Sequence, residues 1–267
     1  MDAFRVTILG ARGSVPVSDG AFARYGGATT CVLVQEGETN IVMDAGTGIL
    51  RLPPEVLANP ELTLLMTHAH LDHINGLMMC PYGMGEGNRL HIYATEQSGV
   101  PIEDVLLRLY SPPIWPVTPN QLAAELIYHT ITGDFSIGDV QVASIEGFHP
   151  GGVRLLRLRS GGRTIVFATD FTLTETSRPA VVEFAKDCDL LLCDGQYSEE
   201  EWQARSGFGH NTWTAAARLG LDCGAKRTRI IHHDPTHDDA RLNAAEAEVR
   251  ALDPGCAFAR EGEVIAL

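Results

Sequence analysis

No two of the six cysteines, at 31, 80, 188, 193, 223 and 256, form a CxxC pair. That excludes a zinc ribbon and a thioredoxin-type motif. No apolar run approaches the roughly 18 residues that a membrane span needs, so none is expected. The opening MDAFRVTILGARG has no basic region followed by a long apolar stretch, so no signal peptide is expected and a cytoplasmic protein with reduced thiols is the default. Basic residues are scarce: Lys plus Arg is 20 against 34 Asp plus Glu, a formal charge of −14. This deficit excludes a broad basic footprint and argues against non-specific binding to nucleic acid or anionic membrane. A negatively charged substrate would need positive charge supplied locally. No low-complexity linker divides the chain and no short-period repeat appears. What is present is ordinary for a globular protein: 267 residues, 45% hydrophobic and 20% charged, long enough to bury a core without disulfide or metal staples.

The apolar pattern comes in short bursts closed by Gly, Pro or Asp. Residues 4–9, 31–35, 40–43, 62–67 and 89–94 read as strands, and so do 140–145, 154–159, 164–168, 190–193 and 229–232. Residues 102–110, 178–186, 212–220 and 238–252 have helical spacing, with Asp238 and Asp239 as a start signal and Pro254 as a stop. Strands with interspersed helices in both parts predict one α/β domain over residues 1–267, built from two similar halves. Residues 110–119, Tyr-Ser-Pro-Pro-Ile-Trp-Pro-Val-Thr-Pro, cannot form a regular helix. Two readings stay open for this stretch: a stiff loop that walls a pocket with Tyr110 and Trp115, or a connector that packs those rings into the core.

The strongest signal is Thr67-His68-Ala69-His70-Leu71-Asp72-His73, directly after an apolar strand. Buried histidines without partners are costly, and metal ligation removes that cost. Spacing of i, i+2 puts His68 and His70 on one side of an extended segment, and Asp72 and His73 follow as the chain turns. Imidazoles with a carboxylate suit zinc, with manganese or iron as substitutes. The competing reading is a solvated His-rich loop.

This H-x-H-x-D-H pattern resembles the metallo-β-lactamase superfamily. Further segments match in order: Asp44-Ala45-Gly46, Phe148-His149-Pro150-Gly151, Ala168-Thr169-Asp170 and Ile231-His232-His233-Asp234. The resemblance covers nearly the whole chain. It implies a four-layer αβ/βα sandwich with a two-metal site at one edge of the sheets. Carried over, His68, His70 and His149 would hold one metal, Asp72, His73 and His233 the other, and Asp170 would bridge them. Strand alternation lets only one of His232 and His233 point at the site, and His233 is the choice. Asp44 and Thr67 would orient histidines from outside, although a strand-end cap is a comparable reading of Asp44.

Gly209-His210-Asn211-Thr212 resembles the G-H-x-T segment of RNase Z-like phosphodiesterases, with an exposed loop histidine as the bland alternative. The segments at 9–16 and 24–31 resemble the same branch. Arg12 and Arg24 would meet a substrate phosphate or serve as salt-bridge partners. The branch implies a dinuclear metal-dependent hydrolase of small or cyclic phosphodiesters, acting by attack of a metal-bridging hydroxide. Asp72 and Asp170 would hold the metals and accept the water's proton, and His210 would stabilise or protonate on the far side. Alternatives are an ester, lactone or thioester hydrolase with the same metals, in which the Tyr110/Trp115 loop would bind an acyl group, or an RNA-processing endonuclease. Only 20 residues separate His149 from Asp170, leaving no room there for a tRNA-gripping arm, so folded RNA is the weaker substrate expectation. A homodimer is what the resemblance suggests.

Overall fold

Alternation of apolar side chains along the strands gives each sheet two sticky faces, and the chain covers all four. The computed structural model describes residues 4–267. One seven-stranded sheet has the order β14-β1-β2-β3-β4-β5-β6. Its strands are β1 (Arg5–Gly10), β2 (Cys31–Glu36), β3 (Thr39–Met43), β4 (Glu61–Leu65), β5 (Arg89–Ala94), β6 (Glu125–Thr130) and β14 (Val264–Ala266). The other has the order β13-β12-β11-β10-β9-β8-β7, from β7 (Phe135–Ile137), β8 (Val140–Gly147), β9 (Val153–Ser160), β10 (Arg163–Ala168), β11 (Leu190–Asp194), β12 (Thr228–Ile231) and β13 (Cys256–Phe258). Among the described residues seven α-helices connect them: α1 (Pro54–Leu57), α2 (Leu71–Ile74), α3 (Ile102–Leu109), α4 (Arg178–Phe184), α5 (Glu199–Arg205), α6 (Trp213–Cys223) and α7 (Asp239–Leu252). None is long and apolar enough to cross a membrane.

Period-two patterning sorts the strand residues between layers. Val6, Ile8, Val32, Ile41, Leu156, Phe167, Leu190 and Leu192 meet in the layer between the sheets. Their neighbours face outward. Leu33, Val42, Leu64 and Ile92 pack with α1, α2 and α3 residues such as Val56, Ile74 and Leu106. Leu191, Cys193 and Ile230 pack with Val181 of α4, Trp213 of α6 and Leu242 of α7. The result is helix, sheet, sheet, helix, as the resemblance leads one to expect.

The order also positions the loops. β3, β4, β5 and β6 run parallel, and so do β10, β11, β12 and β13. In such sheets binding crevices form beyond the carboxyl ends of the strands. Asp44 follows β3, the 67–73 segment follows β4, Asp170 follows β10, Asp194 ends β11 and His232 follows β12.

The proline-rich stretch resolves as the packed connector. Tyr110 is buried, donates its hydroxyl to the Ile74 carbonyl at 2.6 Å, and meets the Trp115 ring edge-on at 5.4 Å. Tyr110 joins the core against the first sheet, with the partly buried Trp115 packed against it. All six cysteines are buried free thiols.

Candidate metal centre

Two groups of ligand atoms converge at the strand ends. His68, His70, His149 and Asp170 form one, with their ligand atoms within 4.8 Å of one another. Asp72, His73, Asp170 and His232 form the other by the same measure. Asp170 belongs to both. One carboxylate oxygen lies 3.3 Å from His73 Nε2; the other lies 3.7 Å from His68 Nε2 and 3.0 Å from His232 Nε2.

Partners on the outside aim most of these rings inward. Asp44 accepts from the Thr67 amide at 2.8 Å, the Thr67 hydroxyl at 2.7 Å and His73 Nδ1–H at 2.7 Å. Because Thr67 donates to Asp44, its oxygen accepts from His68 Nδ1–H at 3.0 Å. One carboxylate thus sets the tautomer of His73 directly and that of His68 through a hydroxyl. His149 Nδ1–H donates to the Gly209 carbonyl at 3.0 Å, and His232 Nδ1–H to Gln196 Oε1 at 3.2 Å. Outer hydrogen bonds of this kind are how proteins orient metal-binding imidazoles.

A divalent cation fits this donor set. His68 Nε2 and His73 Nε2 are fully buried and have no hydrogen-bond partner. An orphan of that kind costs about 1–3 kcal/mol unless something else satisfies it. His149 Nε2 and His70 Nδ1 face each other at 3.0 Å. Burial and the neighbouring His73 hold His68 well below its ordinary pKa, so its Nε2 lone pair is free. Burial also opposes charge on His232, but Asp170 and Asp72 reverse this and push it up to about 10. The same carboxylates, with Asp44, carry His73 well above its usual range against its burial. Cation ligation would displace those protons.

The backbone is strained where the site needs it. Six non-glycine residues have positive φ among the described residues, and four surround the cluster: Ser14 at 63°, Asp44 at 59°, Asp170 at 52° and His232 at 62°. Left-handed non-glycine residues are costly and concentrate at functional sites.

His232 and His233 exchange the positions expected from the sequence. Alternation along β12 would aim His233 at the site, since Ile231 faces the layer between the sheets. The strand ends at Ile231, however, and the left-handed turn at His232 breaks the period. His232 therefore swings into the cluster. His233 turns into the second sheet's core, where its Nε2–H donates to the Ala259 carbonyl at 2.9 Å beside the Tyr25 and Phe258 rings. Gly13 makes room for the swap: a Cβ there would sit 2.4 Å from the His232 ring.

His210 joins the site from the loop before α6. Its ring stacks on His232 at 4.7 Å, and its Nδ1–H donates to Asp194 at 2.9 Å. Asp194 also accepts from the Asn211 amide at 2.8 Å. Asp194 escaped the sequence reading, although it shows the same strand-then-Asp grammar as Asp44 and Asp170. Gln196 and the Ser14 amide, which donates to Asp72 at 2.7 Å, had no sequence signal. Neither arginine reaches the cluster. Arg12 is buried and donates to the Gly26, Asp234 and His237 carbonyls, stapling the first loop to the loop after β12. Arg24 lies over the Tyr25 ring, and its amide donates to Asp239.

Known proteins share this architecture. Residues 39–233 match the model of the beta-lactamase superfamily domain. The probable metallo-hydrolase YhfI of Bacillus subtilis is 23% identical over 245 residues, 90% of this chain and 92% of that one, and its crystal structure superposes with a TM-score of 0.75. A ribonuclease Z of Kineococcus radiotolerans is 24% identical over 290 residues, covering 94% of this chain and 90% of its own. A diphosphatase from the PhnP family, 18% identical, gives a TM-score of 0.72 over 98% of this chain and 97% of its own. The chain belongs to the beta-lactamase superfamily, among its metal-dependent hydrolases.

Proposed function

We propose that this protein hydrolyses small or cyclic phosphodiesters with two divalent cations, zinc first, with manganese or iron as substitutes. His68, His70, His149 and Asp170 would hold one cation, and Asp72, His73, His232 and Asp170 the other. The observation that carries the reading is the shared Asp170 between two convergent ligand sets, with the His210–Asp194 pair stacked against one of them. Bound cations would polarise phosphoryl oxygens and acidify a water.

The chain's own groups supply the rest. Asp194 fixes His210 with Nδ1–H inward to the carboxylate, leaving Nε2 to stabilise the phosphate or, when protonated, to hand a proton to the departing oxygen. Asp72, held by the Ser14 amide, is the acceptor for the attacking water's proton. The excess of 14 negative charges disfavours long polyanions, which supports small substrates over folded RNA. β9 and β10 fill the stretch between His149 and Asp170 as a hairpin, with no excursion to grip RNA.

The test is turnover of bis(p-nitrophenyl) phosphate with metal analysis in parallel. His68→Ala and Asp170→Ala are expected to lose activity and metal together. Full turnover by a metal-stripped double variant would refute the proposal. His210→Ala should depress phosphodiester turnover about 10²-fold or more. If that variant were unimpaired while hydrolysing lactones, carboxylic ester chemistry would replace this reading.

A further inference from the structure

Two exposed aromatic rings are carried by loops that also carry histidines of the candidate metal centre. Phe148 is 65% exposed and Phe208 is 60% exposed, whereas Phe4, Phe167, Phe171 and Phe258 are buried. Scattered exposed apolar residues are ordinary. These two are not scattered. Phe148 directly precedes His149, and Phe208 lies two residues before His210. The loops that carry them are fastened together by the His149–Gly209 hydrogen bond. They touch so closely that a Cβ on Gly209 would lie 2.2 Å from His149 Nδ1 and 2.6 Å from Pro150 Cδ. The Phe148 carbonyl is held in turn by the Thr172 amide at 2.8 Å. Both rings are thus anchored at the rim through backbone bonds, and their side chains are left to solvent.

We infer that Phe148 and Phe208 form a subsite for a flat, uncharged ring of nucleobase size attached to the scissile phosphodiester. Aromatic faces attract other flat π-systems by stacking, with little demand on the ring's identity. The anionic part of the substrate is drawn to the cluster, and the acidic surface disfavours a second charged group. The two loops meet at the His149–Gly209 hydrogen bond, and each carries one of these rings beside a histidine of the candidate centre in sequence. The inference takes the phosphodiester from the proposed function; the ring subsite rests on the two phenylalanines alone.

The experiment compares two substrates with identical reacting atoms: adenosine 2′,3′-cyclic phosphate and its base-free counterpart, 1-O-methylribose 2,3-cyclic phosphate. The metal-bearing protein is expected to favour the base-bearing diester about tenfold, through KM. The F148A/F208A double variant is expected to erase most of that preference. Calorimetry with AMP and ribose 5-phosphate should show the same preference in binding, and the same loss in the variant. If neither diester is turned over, the phosphodiesterase reading fails, while the AMP comparison still decides the subsite. Equal affinity of the unaltered protein for AMP and ribose 5-phosphate would overturn the inference. So would a double variant whose main change is its sedimenting mass, because the rings would then cover an interface between copies.

Discussion

At the scale of single residues, the neighbours His232 and His233 make the sharpest contrast. His232 Nε2 lies 3.1 Å from Asp72 and 3.0 Å from Asp170, whereas His233 is enclosed beside Tyr25 and Phe258. His232→Ala is expected to lower bound metal and abolish turnover. His233→Phe is expected to keep its metal, as read by elemental analysis of the two purified variants. His233 also predicts a pH effect. Burial, and then the nearby Arg12 charge, lower its pKa to about 3. The folded state keeps this ring neutral while the unfolded chain protonates it below about 6.5. Its contribution to stability is therefore present above pH 6.5 and is lost as pH falls toward 3, by about 1.4 kcal/mol per pH unit. Thermal melts of chelator-treated protein should show His233→Phe gaining on the parent chain as the pH drops through that window. Asp44→Asn offers an amide to groups that all donate, so it is expected to weaken metal affinity about 10–100-fold, measured by competition with a chromogenic chelator.

At the scale of elements, a small helix controls part of the site. α5 is capped by a reciprocal pair: the Ser198 hydroxyl accepts from the Glu201 amide, and Glu201 accepts from the Ser198 amide at 2.8 Å. Glu201 also accepts from His237 Nε2–H at 2.8 Å. The helix leads into the loop whose Gly209 carbonyl orients His149. Ser198→Ala is expected to cost about 1 kcal/mol in denaturant unfolding. The elements also show how far the sequence can be read. All ten strands expected from it are present, β5 with the expected ends and the others with one or both ends shifted. The four that escaped it are β6, β7, β13 and β14, which are the outermost strands of the two sheets. Three of these have three residues, and β6 is largely half-buried on both faces. An edge strand pairs on one side and is kept short or wet, so its apolar pattern is weak.

At the scale of the molecule, the candidate metal centre draws together chain segments from both sheets. The two ligand sets come from loops after β4, β8, β10 and β12, so bound cations would tie both sheets at one edge. Chelation is expected to lower the melting temperature, and returning zinc or manganese to restore it in a concentration-dependent way. Scanning calorimetry across a metal titration measures this; an unaltered melting temperature would count against metal at this site.

The sequence by itself determined most of the strands and brought forward the run of candidate ligands after β4, because both are written in local chemistry. Period-two alternation assigns strand faces, and a dense run of imidazoles and carboxylates after a buried strand has few other uses. The tertiary structure decided which histidine turns inward after β12, which carboxylate holds His210, that Arg12 is a structural staple and that Tyr110 is core. Those outcomes depend on φ at one residue, on the missing Cβ at Gly13, and on partners far away in the chain. No window of sequence contains that information, since the energies that decide it arise only when distant segments meet.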